Sequence, residues 1–135
     1  MNFSVAKVVI CGSFRRDLTS LRQQYRELIE TNCQVLSPRS IEFDDESFVR
    51  SRGEQALNIR TIQDNHLASL HDADFVWLHC PEGYVGTSGA FEIGFAYAHG
   101  IPVYSTTAPN DAMLSEYVTT CPSVYKAKQL ALDRE

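Results

Sequence analysis

The run Phe75–Cys80 (FVWLHC) constrains this chain more than any other stretch. It lacks polar alternation, so both faces of the strand it predicts need apolar cover. Such a strand sits in the middle of a parallel sheet with helices packed on either side. Its surroundings fit. Ala6–Cys11 (AKVVIC) reads as a short buried strand ended by Gly12, and Gln34–Ser37 as another, stopped by Pro38. Ile101–Ser105 reads as a further strand. Between them lie helical patterns. Asp17 can cap a helix running to about Thr31, with Leu18, Leu21, Tyr25, Leu28 and Ile29 on one stripe. Leu57–Asp72 places Ile59, Ile62, His66, Leu70 and Ala73 on one face. A helix from about Ser88 to His99 closes at Gly100.

Strand–helix alternation makes βαβ units. Right-handed crossovers then give an α/β three-layer sandwich with a flavodoxin-like parallel sheet, order 2-1-3-4-5. Asp111–Thr120 is read as a helix, and the tail from Pro122 as a short edge strand followed by a helix. The charged, weakly patterned segment Pro38–Ala56 reads either as a functional loop or lid or as a surface excursion. At 135 residues, the expectation is one domain over 1–135.

Composition excludes several classes. Hydrophobic residues are 44% and charged residues 21%, which is globular. No apolar run approaches a membrane span, and the opening MNFSVAKVVICG lacks signal-peptide organisation, so a cytoplasmic protein without a membrane partner is expected. With 17 acids against 12 bases, net −5, a nucleic-acid polymer is not the expected partner. A small phosphorylated ligand needs only a local cradle. Cys11, Cys33, Cys80 and Cys121 form no CxxC pair, and His66 and His71 point apart on a helix. The expectation is buried thiols, no metal and no cofactor.

In open α/β sheets, ligands bind at the carboxyl ends of the strands, where the strand order reverses. That rule selects the loops after the first and third strands. In the second, GYVGTSGAFEIGFAYA (Gly83–Ala98), the one charge is Glu92. Its helix is apolar nearly all round and reads as largely buried. A lone ionised carboxylate there costs several kcal/mol, as an order of magnitude, unless paired or functional. Gly83, Gly86 and Gly89 permit close backbone approach, and Thr87 and Ser88 are able caps or phosphate ligands. A purely structural account would be a glycine-rich turn, a capping Ser and a Glu held by the helix dipole in the first turn. In the first loop, Gly12 allows a sharp turn, while Ser13, backbone N–H groups and Arg15 can bind an anion.

Three stretches carry a resemblance: CGSFR after the first strand, HLASLHDADFVWL into the third, and GTSGAFEIGFAYAHGIPV. Over about residues 6–105 the chain resembles the nucleoside 2-deoxyribosyltransferase superfamily, which includes the 2'-deoxynucleoside 5'-monophosphate N-glycosidases. The likeness is most specific at Phe91–Gly94 (FEIG), where that family carries its catalytic glutamate. The resemblance implies cleavage of the N-glycosidic bond of a (deoxy)nucleoside or nucleoside 5'-monophosphate, by hydrolysis or base transfer, through Glu92 as nucleophile. It implies a homodimer or higher homo-oligomer, and substrate contacts from Gly12, Ser13, Arg15, Gly86 and Ser88; Phe14, Gly83, Tyr84 and Thr87, in the same two loops, complete the expected binding set. His66 stands where the family typically has an aspartate and is the expected catalytic partner of Glu92. Gly86 stands where the transferases tend to carry an acid, which leaves room for a 5'-phosphate. A non-catalytic nucleotide-binding or sensing module is the alternative from another class. GYVGT…E is also distantly similar to the GGxGTxxE loop of cytokinin-activating phosphoribohydrolases.

Overall fold

The computed structural model describes residues 4–39 and 58–133. The chain runs β1 (Ala6–Gly12), α1 (Leu18–Glu30), β2 (Cys33–Ser37), α2 (Ile59–His71), β3 (Phe75–His79), a 3-10 turn (Pro81–Gly83), α3 (Thr87–Ala98), β4 (Val103–Ser105), α4 (Ala112–Ser115), β5 (Thr119–Thr120) and α5 (Val124–Leu132). The five strands form one sheet in the order β2-β1-β3-β4-β5, with every pairing parallel. This is the flavodoxin-like arrangement expected from the sequence. The segment read as a loop or lid lies, beyond Arg39, outside the described residues, as does Leu57.

Two apolar layers hold the sheet. Val8, Ile10, Phe75, Trp77 and Tyr104 pack against Leu21 and Leu28 of α1 and Val124, Ala127 and Ala131 of α5. The alternate residues Val9, Cys11, Val76, Leu78 and Val103 pack against Leu70 of α2 and Ile93 and Ala96 of α3. Every residue of β3 is buried, as a central strand requires. Asp17 caps α1 by accepting from the Ser20 N–H, and Asn58 caps α2 by accepting from the Thr61 N–H. The buried Lys128 of α5 donates to the Thr31 carbonyl at 2.8 Å, which ties α5 to the end of α1.

The structure corrects several local readings. Asp111 does cap a helix, but α4 ends at Ser115, because the β-branched pair Thr119–Thr120 leaves the helix to extend the sheet beside Tyr104 and Ser105. The edge strand therefore precedes Pro122. Ile29 and Ile59, placed on the buried stripes by spacing, are exposed. Helix α3 is not largely buried. Gly89, Glu92, Ile93 and Ala96 face inward, while Phe91 and Tyr97 are 56% and 67% exposed. Its apolar outer side has no cover from the described residues of this chain.

Candidate active site

Glu92 sits at the carboxyl edge of the sheet, on the face covered by α2 and α3, and is only 5% exposed. It lies in the second turn of α3, not the first, because the helix begins at Thr87. The helix dipole acts mainly within the first turn, so other groups must hold this carboxylate. Three do. Gln63 Nε2 donates to Oε2 at 3.1 Å. His66 Nε2 lies 3.5 Å from the same oxygen. The Cys11 thiol lies 3.6 Å from His66 Nε2 and close enough to Glu92 to feel its charge. Burial, and then the Glu92 charge, push the Cys11 thiol well above its ordinary value, so it remains protonated. On its far side, His66 Nδ1 is 2.6 Å from Ser37 Oγ. The hydroxyl can donate or accept there, so it fixes the ring with Nε2 facing Glu92 and Cys11.

The sequence singled out Glu92 and His66, and the structure brings them together. It did not single out Cys11, Ser37 or Gln63. Gln63 had a signal, because it stands three residues before His66 and so shares its helix face.

The two glycine loops meet. A Cβ on Gly89 would lie 3.3 Å from Gly12 Cα, so the first turn of α3 rests directly on the end of β1. Neither Thr87 nor Ser88 caps α3. The cap is Gly86, which makes no side-chain bond to the helix start, and Thr87 and Ser88 are exposed. Ser13 is half-buried and Arg15 exposed beside this junction. The remaining loop residues have structural occupations. Phe14 packs against the α1–α5 core. Gly83 forms a turn whose carbonyl accepts from the Asn110 N–H. Tyr84 carries the Arg16 guanidinium over its ring at 3.7 Å. A cleft of ≈ 410 Å³ opens at the same edge, lined by Arg16, Asp17, Ser20, Gln24, Glu82 and Thr107 among others. Two carboxylates against one guanidinium make it a poor seat for a phosphate. Asp17, already capping α1, also turns an anion away from that helix start. An anion is better served by Ser13, Arg15 and the uncapped start of α3.

His79 supports this junction from below. It is fully buried, pairs with Gly12 in the parallel register, and has Nε2 2.6 Å from the Arg16 carbonyl. Nε2 therefore carries the proton. Burial lowers its affinity for a second proton below the ordinary 6.5, against opposing pulls from the Arg16 carbonyl and Asp17. The unfolded chain thus protonates this imidazole first as pH falls. The stability it contributes is present above about pH 6.5 and is lost as pH drops towards the folded value. Urea midpoints measured about one unit either side of 6.5 are expected to differ less in His79→Gln than in the native chain. Equal differences would assign the pH dependence to other groups.

Among the described residues, no helix is long and apolar enough to cross a membrane. Neither protein-family models nor curated proteins match the chain. Solved structures do. A 2-deoxyribosyltransferase from Bacillus psychrosaccharolyticus aligns with TM-score 0.62 and 20% identity, over 91% of this chain and 90% of that one. A CMP N-glycosidase from Clostridium botulinum aligns with TM-score 0.55 and 14% identity, over 93% and 98%. A conserved protein from Enterococcus faecalis aligns with TM-score 0.58 and 13% identity, over 98% and 100%. The α/β fold expected from the sequence is thus shared with a 2-deoxyribosyltransferase and a CMP N-glycosidase.

Proposed function

We propose that this protein cleaves the N-glycosidic bond of a nucleoside 5'-monophosphate or a related (deoxy)nucleoside, with Glu92 as nucleophile. The observation that carries the reading is the placement of Glu92. It is a buried carboxylate at the carboxyl edge of the sheet, held by Gln63, His66 and Cys11, on a fold shared with a 2-deoxyribosyltransferase and a CMP N-glycosidase.

Cleavage passes through an oxocarbenium-like state at C1'. Gln63 and His66 both address Oε2, which leaves Oε1 as the oxygen to meet an incoming sugar. As the C1'–N bond breaks, its electron pair leaves with the base and Oε1 closes a bond to C1'. The departing base takes a proton, which His66, beside Glu92, is placed to relay. Water, losing a proton, then displaces the sugar from Glu92, or a second base does so in a transfer reaction. Gly86, where the transferases tend to carry an acid, leaves room for a 5'-phosphate between Ser13, Arg15 and the start of α3. The exposed apolar side of α3, with Phe91 and Tyr97, fits burial against a second copy of the chain.

The test is incubation with a panel of ribo- and deoxyribonucleoside 5'-monophosphates and the matching free nucleosides, following free base by chromatography. Base release, faster from monophosphates, is expected. Thermal stabilisation by a nucleotide without base release would make the protein a binding module. Preference for free nucleosides would remove the phosphate cradle.

A further inference from the structure

The cluster around Glu92 also has the makings of a metal centre. Cys11 Sγ, His66 Nε2 and a Glu92 carboxylate oxygen all lie within 4.8 Å of one another, and all three residues are buried. They come from β1, α2 and α3, so no sequence spacing could announce them. We propose that Cys11, His66 and Glu92 bind a thiophilic divalent ion of the zinc class, with one coordination position open.

Two of the three donor separations match those of a tetrahedral centre. Zn–S of about 2.3 Å and Zn–N of about 2.05 Å at tetrahedral angles set sulfur and nitrogen about 3.6 Å apart, and nitrogen and oxygen about 3.3 Å apart. The corresponding separations here are 3.6 Å for Cys11 Sγ to His66 Nε2 and 3.5 Å for His66 Nε2 to Glu92 Oε2. The donors suit zinc or cobalt, because sulfur and imidazole favour them, whereas magnesium and calcium need oxygen ligands.

The outer contacts also fit. Ser37 Oγ, 2.6 Å from Nδ1, fixes the imidazole so that Nε2 faces the ion, and Gln63 holds the carboxylate. Binding releases one proton, from the Cys11 thiol to solvent. The resulting thiolate and the Glu92 carboxylate then balance the ion's two positive charges. An ion here would occupy the carboxylate proposed above as nucleophile, so it would inhibit turnover. The site itself does not rest on that reading.

The experiment uses the full chain, stripped with a chelator and without substrate, titrated with Co²⁺. One equivalent is expected to bind with a thiolate-to-cobalt charge-transfer band, which Zn²⁺ abolishes by displacement and Mg²⁺ leaves intact. Cys11→Ala is expected to remove the band, with folding checked by circular dichroism. Ser37→Ala, which keeps all three ligands, is expected to weaken binding by about 10–100-fold. Absence of the band in the native chain overturns the proposal. So does its persistence in Cys11→Ala, which would move binding to Cys33, Cys80 or Cys121. Should Cys11→Ala misfold, undiminished cobalt affinity in Ser37→Ala overturns it instead. Each outcome is independent of whether any nucleotide is cleaved.

Discussion

Glu92→Gln is expected to lower the rate of base release by about 10³-fold or more while leaving substrate binding nearly intact. Glutamine keeps the length of the side chain and one carbonyl oxygen. That oxygen can still accept from Gln63, which now bonds Oε2 at 3.1 Å. The site therefore keeps its shape and most of its hydrogen bonding. What disappears is the negative charge that faces C1' as positive charge develops there, and with it the covalent route. The loss falls on the transition state, because a neutral ground-state sugar gains little from a carboxylate. Single-turnover rates give the answer, alongside nucleotide affinity from calorimetry. Retention of more than about a tenth of the native rate, ~1.4 kcal/mol of barrier or less, would make Glu92 a structural carboxylate and remove the mechanism.

The parts of this fold legible in the sequence were those where local pattern and burial agree. β3 is apolar throughout and buried throughout, and β1 ends at the glycine that the turn demands. Glu92 was legible because a charge in an apolar segment has few innocent explanations. Cys11 was not. Both faces of β1 are buried, with Val8 and Ile10 meeting α1 and α5 while Val9 and Cys11 meet α2 and α3. With no polar phase to mark either side, nothing in AKVVIC shows which residues turn towards α3. Ser37 was hidden for a related reason. Its role depends on β2 ending level with the middle of α2, a tertiary fact. Helix α3 misled in the opposite direction. An apolar circumference predicts burial, but the cover for Phe91 and Tyr97 does not come from the described residues of the same chain. Lys128 broke the usual rule for charges, since its ammonium reaches the Thr31 carbonyl from within the core.

Gly12→Ala is expected to destabilise the chain by about 3 kcal/mol or more, the largest effect on folding of any single methyl group considered. Two costs coincide at this position. Its φ of +120° lies where side chains are strained. The added Cβ would also stand 2.1 Å from the His79 carbonyl oxygen and 3.0 Å from its carbon. Those atoms belong to the backbone of β3, paired with Gly12 in the parallel register, so no rotamer change relieves the contact. The strands must part, and Gly89, whose helix rests on Gly12, must move with them. Gly94 provides the contrast. It lies in α3, and a Cβ there would meet nothing within 4 Å. Gly94→Ala is therefore expected to stabilise by about 0.5–1 kcal/mol through helix propensity alone. Urea unfolding of the two variants should shift the midpoint in opposite directions. A Gly12→Ala chain within about 1 kcal/mol of the native one would mean that β1 and β3 separate cheaply at this end. The support proposed here for the Glu92 site would then be wrong.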